Sequence, residues 1–290
     1  MQIALHLGVN KTDEDRLVRC LMRNRSLLAG MGIAVPAPGG YRQQLRQLAF
    51  EMRSEPTSAA TQDALLDGLI EDDDIDRVVL SSEFFLAVHR WAIVHSAFYG
   101  SAGERVEQVR HLFPEAEFEI YLAIRNPATF LPALAADPRA GGPEALMEGV
   151  NPLLMRWSTT ISHIVTANPG IPVTVWTEED VPALWPEILN MVSGYPMGST
   201  LSGWQDWYEP MLSADGMAEL RREFPQPPAV DGSARGVLQG IARRHPNPGA
   251  VPPPLPMPYW TPDYCARLTD MYEADLDMLS ALPGVTLLEA

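Results

Sequence analysis

The stretch Gln2-Ile3-Ala4-Leu5-His6-Leu7-Gly8-Val9-Asn10-Lys11-Thr12-Asp13 decides the fold class. Ile3 to Leu7 is a short apolar run, and Gly8 to Thr12 reads as a turn. From Asp13 a helix is expected, because Leu17, Leu21, Asn24 and Leu28 recur at helical spacing, with Val18 and Met22 widening the stripe. Thr12 stands where it can cap that helix and Asp15 falls at its third position, the capping-box spacing with Asp in place of Glu. Strand, glycine-containing turn and helix, in that order, place Lys11 just before a helix N-terminus. That is where α/β proteins bind anions.

Outward from this unit the same alternation continues. Arg77 to Ser81, Phe118 to Ile124, Val173 to Trp176 and Val285 to Leu288 are continuous apolar runs, as expected of strands buried on both faces. Helical patterns separate them at 41–53, 57–70, 104–113, 151–166 and 178–192. A last helix is capped by Thr261, with Pro262 at its first position and Pro283-Gly284 as its stop. The expectation is a three-layer α/β fold in one domain over residues 1–290, with a central parallel sheet of about five strands flanked by helices. Residues 194–260 break the pattern. They carry Tyr195, Trp204, Trp207 and Tyr208 with little periodicity, and seven prolines fall within His245 to Pro258. This reads as an irregular insertion with a stiff extended segment; Pro253-Pro254-Leu255-Pro256 fits a rigid surface crossing better than a polyproline ligand. Glu71 to Asp76 reads as a solvated acidic loop.

Composition narrows the function. Hydrophobic residues make up 46% and charged residues 20% of 290, the balance of a globular chain. The 37 acidic against 21 basic residues give a net charge of −16, and both halves are acidic. A nucleic-acid partner is not expected, since no basic face is available to displace counterions from phosphates. The first residues carry no signal-peptide pattern and no apolar run is long enough to span a membrane, so a cytoplasmic location is expected. Cys20 and Cys265 stand alone and suit neither a disulfide framework nor a zinc site. The six histidines have no metal-binding spacing, and no metal is expected. Of the basic residues 20 are Arg and one is Lys. Arg replaces Lys harmlessly on a solvated surface, but not where a compact ammonium must meet a phosphate. The one lysine is Lys11.

Gly8-x-x-Lys11-Thr12 lacks the glycines of a Walker A loop, which disfavours an ATPase or kinase. Leu5-His6-Leu7-Gly8-Val9-Asn10-Lys11-Thr12 instead resembles the first phosphate-binding loop of bacterial sulfotransferases. Asn24-Arg25-Ser26-Leu27-Leu28 with Gly32-Ile33, Val78-Val79-Leu80-Ser81-Ser82-Glu83, and Leu112-Phe113-Pro114 followed by Tyr121 to Pro127 are similar to later elements of that family. So are Trp176-Thr177-Glu178-Glu179-Asp180 with Trp185, Tyr272-x-x-Asp275-Leu276 and Leu282-Pro283-Gly284-Val285. The resemblance runs along most of the chain, in the right order. It implies the sulfotransferase branch of P-loop folds and transfer of a sulfuryl group from 3′-phosphoadenosine 5′-phosphosulfate (PAPS) to a hydroxyl or amine of a small acceptor.

By that resemblance Gly8, Lys11, Thr12 and Arg125 would bind the donor, Lys11 on the 5′-phosphate and bridging oxygen and Arg125 on the 3′-phosphate. Lys11 and Glu83 would be catalytic, Glu83 as general base. Glu83 could equally be a carboxylate satisfying backbone donors at a helix start. The chain departs from the family at two places. Asp13-Glu14-Asp15 stands where the family has Gly-Thr-Thr; at ~4 Å each carboxylate–phosphate pair would cost roughly 1–4 kcal/mol. These acids are expected to complement the helix dipole and to occupy the anion site themselves, within reach of Lys11 or Arg16. Ala133 stands where a serine is expected. The alternative is therefore a relative with a degenerate active site, acting as a non-catalytic binding or regulatory protein. His89 and His95 could form an acid/base pair near Glu83, but six residues apart on a helix they would diverge. Arg16, Arg19 and Arg23 read as a solvated stripe paired with acids. The aromatics of 195–208 could line an acceptor pocket or seal an irregular region.

Overall fold

The computed structural model describes residues 1–52, 55–70, 74–196, 200–249 and 256–290. The strands are β1 (Gln2–His6), β2 (Ile33–Ala34), β3 (Arg77–Ser81), β4 (Ile93–Val94), β5 (Ala97–Phe98), β6 (Glu117–Ile124), β7 (Val173–Thr177) and β8 (Val285–Leu288). Six of them form one sheet in the order β2-β3-β1-β6-β7-β8. Every pairing in it is parallel. The α/β class and the parallel sheet agree with the sequence pattern; the strand number is six, because two-residue β2 is too short to leave an apolar run. β4 and β5 form a separate antiparallel hairpin.

Alternating side chains of each central strand feed two cores. Ile3, Leu5, Val78, Leu80, Ile120 and Leu122 face one layer, with Tyr41, Leu45, Val106, Phe130 and Trp157 packed on them. Ala4, Val79, Tyr121, Ala123 and Trp176 face the other, against Leu17, Leu21, Leu184, Ile188 and Leu189. Full burial of one such aliphatic side chain contributes about 1.5–3 kcal/mol, so sheet and helices hold each other. Residues 194–260 are more regular than expected. They contain helices Ala214–Glu223 and Arg235–Arg244, which bury Leu220, Leu238 and Ile241 in the second core. Trp204, Trp207 and Tyr208 lie in that core as well; Trp185 Nε1 donates to the Trp204 carbonyl at 2.9 Å. Trp204, Trp207 and Tyr208 therefore help seal this core, and Trp207 also borders a small space beside His6 and Trp176. The tract Pro253-Pro254-Leu255-Pro256 and the acidic stretch 71–73 lie largely or wholly outside the described residues. Among the described residues no helix is long and apolar enough to cross a membrane.

The sheet order fixes where a site can be. From β1 the chain passes to β2 and β3 on one side, then crosses to β6 on the other. β1 is thus the switch point of the sheet, and the crevice beyond its C-terminal end is where open α/β sheets take ligands. In register His6 stands beside Ser81 and Tyr121, so the segments leaving β1, β3 and β6 emerge together.

Candidate functional site

The loop leaving β1 is tied down on three sides. Gly8 has φ +87°, and a Cβ there would stand 2.9 Å from the Glu83 Cα, so only glycine lets the loop lie against the segment after β3. Asn10 is fully buried. Its amide N–H donates to the Tyr99 hydroxyl at 3.2 Å, that hydroxyl donates to Asn10 Oδ1 at 2.8 Å, and Asn10 Nδ2 donates to the Glu83 carbonyl at 2.9 Å. Lys11, Glu14 and Asp15 all have left-handed φ, at 63°, 50° and 65°. Such a cluster of non-glycine residues is strained by about 1–2 kcal/mol each and is typical of ligand loops. The backbone N–H groups of Thr12, Asp13, Glu14 and Asp15 find no acceptor among the described residues.

Gly8, Lys11, Glu83 and Arg125 come together at the rim. Lys11 N–H donates weakly to Glu83 Oε2 at 3.4 Å, and Arg125 donates from its guanidinium to the Lys11 carbonyl at 2.9 Å. A further Arg125 N–H goes to the Thr129 hydroxyl, and no carboxylate pairs with it among the described residues. Glu83 sits in a turn rather than at a helix start. Burial pushes its carboxyl above the usual range, against the opposing pull of the Lys11 N–H and ammonium.

Several expectations about the loop fail. The helix begins at Arg16, not Asp13. Thr12 does not cap it: its hydroxyl donates to the Val9 carbonyl at 2.8 Å and turns away from the rim. The cap function falls to Asp13, whose Oδ1 accepts the Leu17 N–H at 2.8 Å. One expectation about the acids holds: exposed Glu14 pairs with Arg16 at 3.2 Å, while Asp15 is held bidentately by Arg42 at 2.6 and 3.0 Å and none of the three pairs with Lys11 among the described residues. In the Arg stripe Arg16 and Arg23 pair with acids as expected, with Glu14 and Asp206, whereas Arg19 donates to the Glu14 carbonyl.

The partner of Lys11 is Asp137, 2.7 Å from Nζ and 126 residues away in sequence. Asp137 also takes two bonds from the Arg139 guanidinium at 2.8 Å, and these cations hold its carboxyl well below the usual range. His89 Nε2 lies 3.5 Å from the same carboxylate, yet neither ring nitrogen makes a hydrogen bond. Burial pushes the His89 imidazole down to about 4. Residues 89–98 form a helical turn and the β4–β5 hairpin, so the imagined helix carrying His89 and His95 does not exist. Sequence reading missed Asp137, Arg139, Arg42, Asn10 and Tyr99. Only the Asn10 position, inside the quoted loop, carried any signal.

Two further resembling motifs have structural work in this fold. Glu179 accepts the Asn126 N–H and the Tyr272 hydroxyl, steadying the turn after Arg125. Asp275 accepts the N–H groups of Trp157 and Ser158, which begin the helix Trp157–Ala167. No group of His, Cys, Asp and Glu among the described residues could hold a metal.

No protein-family model matches the chain, and no curated protein matches it either. Among solved structures it is similar to the crystal structure of a sulfotransferase from Alicyclobacillus acidocaldarius. The match covers 99% of this chain and 98% of that one, at 12% identity and a TM-score of 0.44.

Proposed function

We propose that the rim loop and Arg125 bind the phosphates of a PAPS-type donor, and that the chain transfers the sulfuryl group to a hydroxyl or amine of a small acceptor. The observation that carries this reading is convergence. Lys11, Glu83 and Arg125 come from three separate strand ends and meet through the Lys11 backbone. Lys11 keeps donors for an anion although Asp137 takes one, because an ammonium has three N–H groups. The open N–H groups of Thr12 to Asp15 and the free edge of the Arg125 fork suit phosphate oxygens. Lys11 would stabilise negative charge developing on the departing phosphate. Glu83, with its carboxyl raised toward neutrality, would take the acceptor proton as the new O–S or N–S bond forms and the old S–O bond to phosphate breaks.

A second reading, a binding protein without transfer activity, is favoured by one observation. Thr12 offers its hydroxyl to Val9 rather than to the rim. Calorimetric titration with adenosine 3′,5′-bisphosphate separates the possibilities. Transfer requires that the native chain bind it and that Lys11→Ala and Arg125→Ala each weaken binding about tenfold, the scale of a lost charge-assisted contact. Binding unaffected by either replacement, or no binding at all, overturns the donor site.

A further inference from the structure

Two adjoining cavities are lined in part by the segment that follows β3. The larger, about 1050 Å³, is lined by Phe50, Phe84, Phe85, Leu86, Trp91 and Tyr99 among others. The smaller, about 610 Å³, is lined by Arg42, Arg46, Arg90, Arg139 and His89. Gln43, Arg46, Phe84 and Val88 border both, so the two spaces lie side by side. Neither lining contains a single Asp or Glu among the described residues, in a chain where acids outnumber bases by 37 to 21. Part of that charge is also uncompensated. Arg42 and Arg139 are paired with Asp15 and Asp137, but Arg46 and Arg90 have no carboxylate partner among the described residues. Arg105 lines the apolar cavity, and its guanidinium meets Gln108 and the Phe50 ring and no carboxylate among the described residues.

Two more observations point to a bound molecule. His89 is 1% exposed, and both its ring nitrogens lack a hydrogen bond. Nε2 stands 3.5 Å from the Asp137 carboxylate, which Lys11 and Arg139 neutralise, and Nδ1 has no partner among the described residues; a buried polar group in that state calls for a hydrogen-bond partner. At the mouth of the apolar cavity Phe50 and Trp91 remain 53% and 57% exposed. Large apolar surface beside a concave, cationic space marks a ligand site.

We propose that the two cavities form one binding site for an amphipathic small-molecule anion, with a hydrocarbon or aromatic body in the larger space and an acidic head among Arg46, Arg90, Arg139 and His89. The guanidinium forks supply paired N–H donors to the head, and the neutral imidazole adds one more. The body covers the exposed aromatics. Phe84 follows Glu83 directly, so a bound molecule lies beside the candidate base. The proposal concerns binding and stands whether or not a sulfuryl donor occupies the rim.

Calorimetry on the full chain tests it, with dodecanoate below its micelle concentration as the probe. Dodecanol controls for the body and acetate for the head. Dodecanoate is expected to bind at least tenfold tighter than either. The double variant Arg46→Gln/Arg90→Gln should weaken dodecanoate at least tenfold and change dodecanol less than twofold. Val94→Trp, which fills the larger cavity, should weaken both, with circular dichroism confirming that each variant folds. Equal affinity for dodecanol and dodecanoate overturns the proposal, as does an unchanged affinity in the double Arg variant. Absence of binding by every probe overturns it too. Sedimentation with anionic phospholipid vesicles, without binding of monomeric dodecanoate, would assign the surface to a membrane instead and equally sink it.

Discussion

Lys11 and Asp13 stand two residues apart, yet the two flanks of their loop settle charge in opposite ways. On the Lys11 flank two acids, Asp137 and Asp15, have cations. Asp137 lies between Lys11 and Arg139, and Asp15 is clasped by Arg42. On the Asp13 flank no cation comes into ion-pair contact among the described residues. Asp13 and Glu178 line a small enclosed space with His6 and Trp176, whose rings stack. Burial pushes their carboxyls up to about 7 and about 8. Three consecutive acids at the helix start therefore have three different fates. What decides them is the residue that a distant segment brings opposite, not the charge itself.

The largest expected effect comes from breaking the paired flank. Asp137→Ala leaves Lys11 and Arg139 facing one another without their shared carboxylate. It also removes the cap that Asp137 Oδ1 gives the Arg139 N–H. Loss of one partner from a buried ionic cluster together with a cap costs about 2–4 kcal/mol, here held to the lower end because Arg139 is largely exposed. Urea denaturation at pH 7 reads this directly. A loss below 0.5 kcal/mol would mean that the cluster is mere surface pairing.

The unpaired flank should appear in the pH dependence of stability. His6 is pushed down to about 4 by burial and by Arg42. Its neutral form is favoured by folding, so its contribution is complete above pH 6.5 and is lost as pH falls toward 4. For a nearly fully buried group that is roughly 2–3 kcal/mol. Asp13 and Glu178 act in the opposite sense. Their folded values are raised, so their contribution is complete below about pH 4 and is lost as pH rises through 7 and 8. Burial likewise pushes His89 down to about 4, so two rising and two falling limbs nearly cancel and the native chain should show a shallow stability profile from pH 4.5 to 6.5. Asp13→Asn/Glu178→Gln should expose the histidine limb as a steep rise over that interval. Parallel profiles for native and variant would show that the carboxyls titrate normally.

Glu178→Gln alone sharpens the contrast from the alkaline side. The amide imitates the protonated carboxyl, so the variant should gain about 1 kcal/mol over the native chain at pH 9 and almost nothing at pH 4.5. Partial exposure of Glu178 keeps the gain this modest. A variant destabilised at pH 9 would place an unrecognised cation on that flank.

The sheet was legible because apolar runs such as Val78 to Leu80 and Ile120 to Ile124 are buried on both faces and need no partner pattern to be seen. β2 was not, since Ile33-Ala34 is too short. Nor were helices Ala214–Glu223 and Arg235–Arg244, each of which buries only two or three side chains and leaves no apolar stripe to count. At the rim, the meeting of Gly8, Lys11, Glu83 and Arg125 followed from the resemblance together with parallel strands that bring their C-terminal ends to one side. Asp137 could not be read. Its bond to Lys11 spans 126 residues, and nothing in Asp137-Pro138-Arg139 announces a partner at the other end of the fold. Thr12 was misread for a related reason: the capping-box spacing was present, but a loop with three left-handed residues starts its helix one turn later.

The smallest effect belongs to the acid between the two flanks. Glu14 has left-handed φ, its side chain is 59% exposed, and among the described residues its one ion pair is with Arg16 two residues on. Coulomb attraction in that setting is weak, screened by salt and opposed by the entropy of ordering two long side chains. The Glu14 carbonyl, not its carboxylate, receives the Arg19 guanidinium, and a side-chain replacement leaves that bond in place. Glu14→Gln should therefore change stability by no more than about 0.5 kcal/mol at any pH between 5 and 9. Glu14→Gly should stabilise slightly, by about 0.5–1 kcal/mol, because the left-handed backbone then carries no Cβ penalty. A larger loss in Glu14→Gln would show that the carboxylate takes part in one of the flanks after all, and the division of the loop at this residue would fail.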